Sequence, residues 1–111
     1  GCQLVAAWAA HSQHSARVRG ALLVAPPDIE RDDMPPNLAP WRPIVRTRLP
    51  FATIAVTSSD DPYCAAGRAA QMARDWGVAE HIDIGARGHI NGESALGDWA
   101  AGRSLLDRLR T

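Results

Sequence analysis

The sequence predicts an α/β fold, a parallel sheet whose strands are flanked by helices. Three observations carry that expectation. Segments alternate along the chain as helix, strand, long loop, strand, helix, strand, helix, and such alternation builds a parallel sheet covered by helices. The first strand candidate, residues 19–25, carries after Arg19 and Gly20 an unbroken apolar run, the pattern of a strand buried on both faces. Two later strand candidates run directly into polar loops at their carboxyl ends, where the sites of such sheets lie.

Each element has its own signal. Cys2 to Gln13 reads as a helix, with Leu4, Val5, Trp8 and Ala9 on one face and alanines filling the rest. No capping residue precedes it, which suggests that its leader was cut away. Pro26 to Pro50 is a long, proline-rich connection, acidic in its first half and basic in its second. It reads as a stiffened crossover with one or two short turns, or as a segment overhanging a site with Trp41 as an anchor. Phe51 to Thr57 is the second strand, rich in β-branched residues. Pro62 can open a helix, Cys64 to Trp76 continues it with Ala66, Ala69, Ala70, Ala73 and Trp76 on or beside one face, and Gly77 stops it. Glu80 to Ile84 is the third strand. A last helix starts near Gly97-Asp98-Trp99, with Asp98 as N-cap and Leu105, Leu106 and Leu109 as its apolar stripe.

Composition narrows the function classes. The chain has 111 residues, enough for one domain, and we expect residues 1–111 to form a single, truncated one. Its 12 acids balance its 12 arginines, so it lacks the electrostatic footprint of a nucleic-acid binder. No apolar run approaches the roughly 18 residues of a membrane span. Two cysteines without motif spacing argue against both a disulfide scaffold and a zinc site, and no cofactor is expected. His11 and His14 stand at metal-ligand spacing, but with no third ligand nearby they read as exposed residues at a helix end. The expected location is cytoplasmic, bounded only by the lack of a basic-apolar leader in a chain that does not begin with Met.

The chemistry-bearing residues fall in the two polar loops. Ser58-Ser59-Asp60-Asp61-Pro62-Tyr63 follows the second strand, and Gly85-Ala86-Arg87-Gly88-His89 follows the third. An acid and a histidine, each just past a strand's carboxyl end, are two thirds of a nucleophilic triad. His89 could act as general base, or it could merely pack its loop. Asp60 or Asp61 could orient the imidazole, and Asp61 could equally cap a helix. Asn91, Glu93 and Ser94 read as holding the histidine loop by local hydrogen bonds. Ser58, Ser59 and Ser94 lack the sharp strand-to-helix elbow of a nucleophile. Cys64 near a helix start is a third possibility, a low-pKa thiol paired with His89, against the commoner role of a small buried residue.

The runs Gly1-Cys2, Ala21-Leu22-Leu23-Val24-Ala25-Pro26-Pro27-Asp28, Ser58 to Cys64, Gly88 to Ser94 and Gly97-Asp98-Trp99 resemble the small α/β-hydrolases of the YdeN type, whose vertebrate relative is retinoblastoma-binding protein nine. The resemblance covers nearly the whole chain. In that family a Gly-His-Ser-Leu-Gly-Cys elbow carries the nucleophile, and Gly1-Cys2 match its last two residues. The resemblance therefore implies a serine two places before Gly1, with Asp61 as the triad acid and His89 as the base. It also implies that the chain is the C-terminal part of an α/β-hydrolase fold. Half of the oxyanion hole, the N–H after the nucleophile, would lie upstream as well.

The resulting expectation is the C-terminal portion of a serine hydrolase that cleaves a small ester or amide through an acyl-enzyme, inactive by itself. The alternative is a non-catalytic module on the same fold that binds a protein partner through the Pro26 to Pro50 connection. With the elbow strand absent, the first strand would present an unpaired apolar edge, so the chain alone is expected to fold poorly or associate.

Overall fold

The computed structural model describes residues 2–14, 17–91, 94 and 96–109. Of the residues singled out above, Gly1, Gly92 and Glu93 lie outside that set. The elements follow in the order α1 (Cys2–His11), β1 (Gly20–Val24), a 3-10 helix (Pro36–Trp41), β2 (Ala52–Thr57), α2 (Ala66–Asp75), β3 (Glu80–Asp83) and α3 (Ala100–Leu109). The three strands form one parallel sheet in the order β1-β2-β3. Leu22 stands beside Ile54 and Val56 beside Ile82.

Helices cover both faces. On one, Leu23 packs with Cys2 and Ala6 of α1, with Ala69 and Met72 of α2, and with Trp76, which is fully buried. On the other lies α3. A Cβ at Gly20 would stand 3.2 Å from the Leu109 side chain, so the glycine lets α3 approach the strand. Arg108 of α3 reaches Glu80 of β3 at 2.8 Å.

The crossover between β1 and β2 is an ordered cover. The Trp76 indole N–H donates to the Val45 carbonyl at 2.6 Å, and the Leu49 N–H donates to the Trp76 carbonyl at 2.8 Å. Its acidic and basic halves pair with each other. Glu30 accepts from Arg46 at 2.7 Å, and the Arg42 guanidinium donates to the carbonyls of Ile29 and Arg31. Buried Asp28 takes Arg68 of α2 in a two-pronged pair at 3.0 and 3.2 Å. A buried carboxylate needs such a partner to offset its lost hydration.

Several expectations are corrected. In α1 the buried residues are Cys2, Gln3 and Ala6, whereas Leu4 and Trp8 are exposed. A helix apolar nearly all round leaves its periodicity unable to select a face, and small side chains permit the closest approach to a sheet. β1 buries only Leu23, because it is the edge of the sheet among the described residues. Trp41 is 42 % exposed, at the end of the 3-10 helix. α2 begins at Ala66, not Cys64, after a turn through Pro62 and Tyr63. α3 begins at Ala100, two residues past Asp98, with Trp99 at φ 46° between them. Leu106 of its expected stripe is exposed, and Gly102 is its buried residue. Among the described residues no helix is long and apolar enough to cross a membrane.

Candidate active site

The two polar loops leave β2 and β3 side by side. Sheet-like bonding continues past the strand ends: the Ile84 N–H donates to the Thr57 carbonyl and the Ser59 N–H to the Gly85 carbonyl, each at 2.9 Å. Gly85 at φ 85° and Gly88 at φ 63° then turn the second loop back, a conformation that costs glycine little and other residues more. The loops are stitched together by two side chains of the first. The buried Ser58 hydroxyl donates to Asp60 Oδ1 at 2.9 Å and accepts the Arg87 N–H at 2.9 Å. Asp60 Oδ1 also accepts the Gly88 N–H at 2.7 Å. That N–H, with the Ser58 hydroxyl second, holds the Asp60 carboxyl below its ordinary pKa.

Asp61, not Asp60, meets the histidine. His89 Nδ1 lies 3.1 Å from Asp61 Oδ1 and 3.0 Å from Oδ2. The Asp61 side chain is 4 % exposed and that of His89 29 %, so the carboxylate sits beneath the imidazole. Asp61 Oδ1 also accepts the Tyr63 N–H at 2.9 Å. This closes a local turn around Pro62 and replaces the helix cap expected of Asp61, since α2 starts further on. The Tyr63 ring stands edge-on to the imidazole, with centroids 4.6 Å apart and planes at 66°. A carboxylate can only accept, so it holds the proton on Nδ1 and leaves Nε2 as the basic nitrogen.

The rest of the histidine loop is closed by Ser94. Its hydroxyl donates to the Arg87 carbonyl at 2.5 Å and accepts the Asn91 N–H at 3.1 Å. The loop-holding role expected of Asn91 and Ser94 is thus the one observed. Among the described residues, cavities adjoin the imidazole on two sides. One of about 460 Å³ is walled by Pro62, Tyr63, Arg87, His89 and Ser94. The other, of about 310 Å³, is walled by Met34, Pro35 and Leu38 of the crossover with Tyr63 and His89.

Cys64 is not an activated thiol. It is buried, lies two residues before α2, and donates to the Ala65 carbonyl at 3.5 Å. Burial, with the charges of Asp28 and Asp61, pushes its pKa up to about 11. With the sulfur buried and its pKa raised, the Cys64-His89 pairing is withdrawn. Burial likewise raises the pKa of Cys2, whose thiol reaches the Val24 carbonyl at 3.4 Å. Three partners escaped the sequence reading: Ser58 as a stitch, Tyr63 against the imidazole, and the Asp28-Arg68 pair behind the site. The last two had no local signal, because each joins residues from separate segments of the chain.

Sheet, helices and an acid-histidine pair beyond the strand tips define a protein of the α/β class found among hydrolases. The chain belongs to the serine hydrolase family, which it matches over residues 1–108. It is also similar to a crystal structure from Pectobacterium atrosepticum described as a YdeN-like hydrolase, with a TM-score of 0.80 and 26 % identity. That similarity covers 98 % of this chain and 54 % of the other, so the chain spans about half the length of that relative. Comparison with curated proteins finds no match.

Proposed function

We propose that the chain supplies the acid and the base of a Ser-His-Asp triad in an esterase-like serine hydrolase. The serine would stand two places before Gly1, and the substrate would be a small ester or amide. The hydrogen bond between Asp61 and His89 Nδ1 is the observation that supports this reading. His89 Nε2 takes the proton of the serine hydroxyl as the oxygen attacks the carbonyl. The same nitrogen returns that proton to the leaving alcohol or amine as the acyl-enzyme forms. Water then repeats the cycle, giving its proton to His89 and releasing the acid. Asp61 steadies the imidazolium that exists in between and keeps the ring in the productive tautomer.

Two substitutions in the complete protein test this. His89→Ala and Asp61→Asn should each lower kcat by on the order of a thousandfold or more, with little change in KM. A loss confined to KM would count against both assignments. The residue two places before Gly1 is a second check: a serine there should be labelled by a fluorophosphonate, and any residue without a nucleophile would remove the proposal. A binding-module reading draws on one observation, the exposed Trp41 at the end of the 3-10 helix. A non-nucleophilic residue at that upstream position would favour it.

A further inference from the structure

The crossover does more than connect β1 to β2. Its Met34, Pro35 and Leu38 form an apolar wall facing Tyr63 and His89 across the cavity of about 310 Å³. Met34 is buried and Leu38 is half-buried against the core, so this wall is built into the fold. The crossover is held in place by the Arg42 bonds to Ile29 and Arg31 and by Arg31 Nη1 donating to the Pro62 carbonyl at 2.7 Å. That last bond ties the wall to the loop carrying Asp61 and Tyr63.

We infer that this groove holds the apolar portion of the substrate's leaving group, so that the protein prefers esters of aliphatic alcohols. The inference rests on the triad reading and adds to it a choice of substrate. Its logic lies in the two half-reactions. In the second, a water must occupy the space beside the imidazole and give up its proton there. Whatever filled that space in the first half-reaction must therefore have departed. The acyl group stays on the serine, and only the alcohol leaves. A groove with His89 as one wall thus suits the alcohol, and walls of Met34, Pro35 and Leu38 suit an alkyl chain.

The test uses the complete protein and two ester series. One is acetates of alcohols of increasing chain length; the other is methyl esters of acids of increasing chain length. In the alcohol series kcat/KM should rise by up to about fourfold for each methylene buried, until the groove is full. Leu38→Asp should flatten that rise, and so should Leu38→Trp, which fills the groove instead of charging it. The acyl series should keep its own dependence in both variants. If both variants keep the wild-type rise, or if only the acyl series is flattened, the inference is wrong while the triad stands. A wild-type rate indifferent to alcohol length overturns it in the same way. An active His89→Ala protein, or a wild-type protein inert toward both series, overturns the triad reading and the groove together.

Discussion

The Asp60 carboxylate accepts the backbone N–H of Gly88 at 2.7 Å, so the residue before the acid of the pair secures the residue before the histidine. Two adjacent aspartates thereby do different work. Asp61 turns inward to the imidazole, and Asp60 ties the two loops into one rigid unit with Ser58. The triad we propose needs its imidazole held closely for proton transfer, and the Ser58 and Asp60 bonds add to that hold from outside the pair.

If His89 is the base, as proposed, removing the tie should cost less than removing His89, and in a recognisable way. Asp60→Ala loses two hydrogen bonds on an exposed carboxylate and leaves the Gly88 N–H to water. We expect kcat to fall by roughly tenfold, because the loop still carries its Ser58 bond. Asp60→Asn, which retains an acceptor oxygen, should recover most of the loss. Steady-state kinetics of both variants in the complete protein would check this. An equal loss in Asp60→Ala and His89→Ala would mean that Asp60 does more than position.

The thiol of Cys64 should be inert in the folded protein. With a pKa of about 11, roughly one molecule in ten thousand carries the thiolate at pH 7, and the sulfur is buried as well. Iodoacetamide should modify it only on unfolding, at a rate that jumps when denaturant is added. Rapid labelling of Cys64 under native conditions would contradict the packing described here.

Glu30 gives the crossover a pH dependence of known sign. The Arg46 guanidinium foremost, then the Ile44 N–H and Arg68, lower its pKa from 4.5 to about 2. A carboxylate depressed in the folded state adds stability that is fully present above its unfolded pKa and is lost as pH falls through the folded value. The window here runs from about pH 4.5 down to about 2. The Tm of wild type should exceed that of Glu30→Gln at pH 6, and the gap should shrink across that window. A gap that holds steady down to pH 2 would show that the Arg46 and Arg68 bonds do not discriminate the charged form.

Much of this protein was legible from residue order alone. The three strands and the placement of Asp61 and His89 beyond strand tips follow from short β-rich runs ending in polar loops, a signal contained within each segment, and the parallel sense follows from the alternation of helices and strands along the chain. What sequence could not decide was any question of facing. Periodicity picked Leu4 and Trp8 for the buried side of α1, where a helix apolar nearly all round offers little contrast and the fold buries Cys2, Gln3 and Ala6. Neighbouring aspartates are equivalent by pattern; the family resemblance pointed to Asp61, and the packing of one loop on the other turns Asp61 to the ring and Asp60 to a backbone N–H. The same holds for the wall of Met34, Pro35 and Leu38. Its residues lie some 50 positions from His89 in the chain, and such distant contacts arise from the folded path of the crossover, which no local pattern encodes.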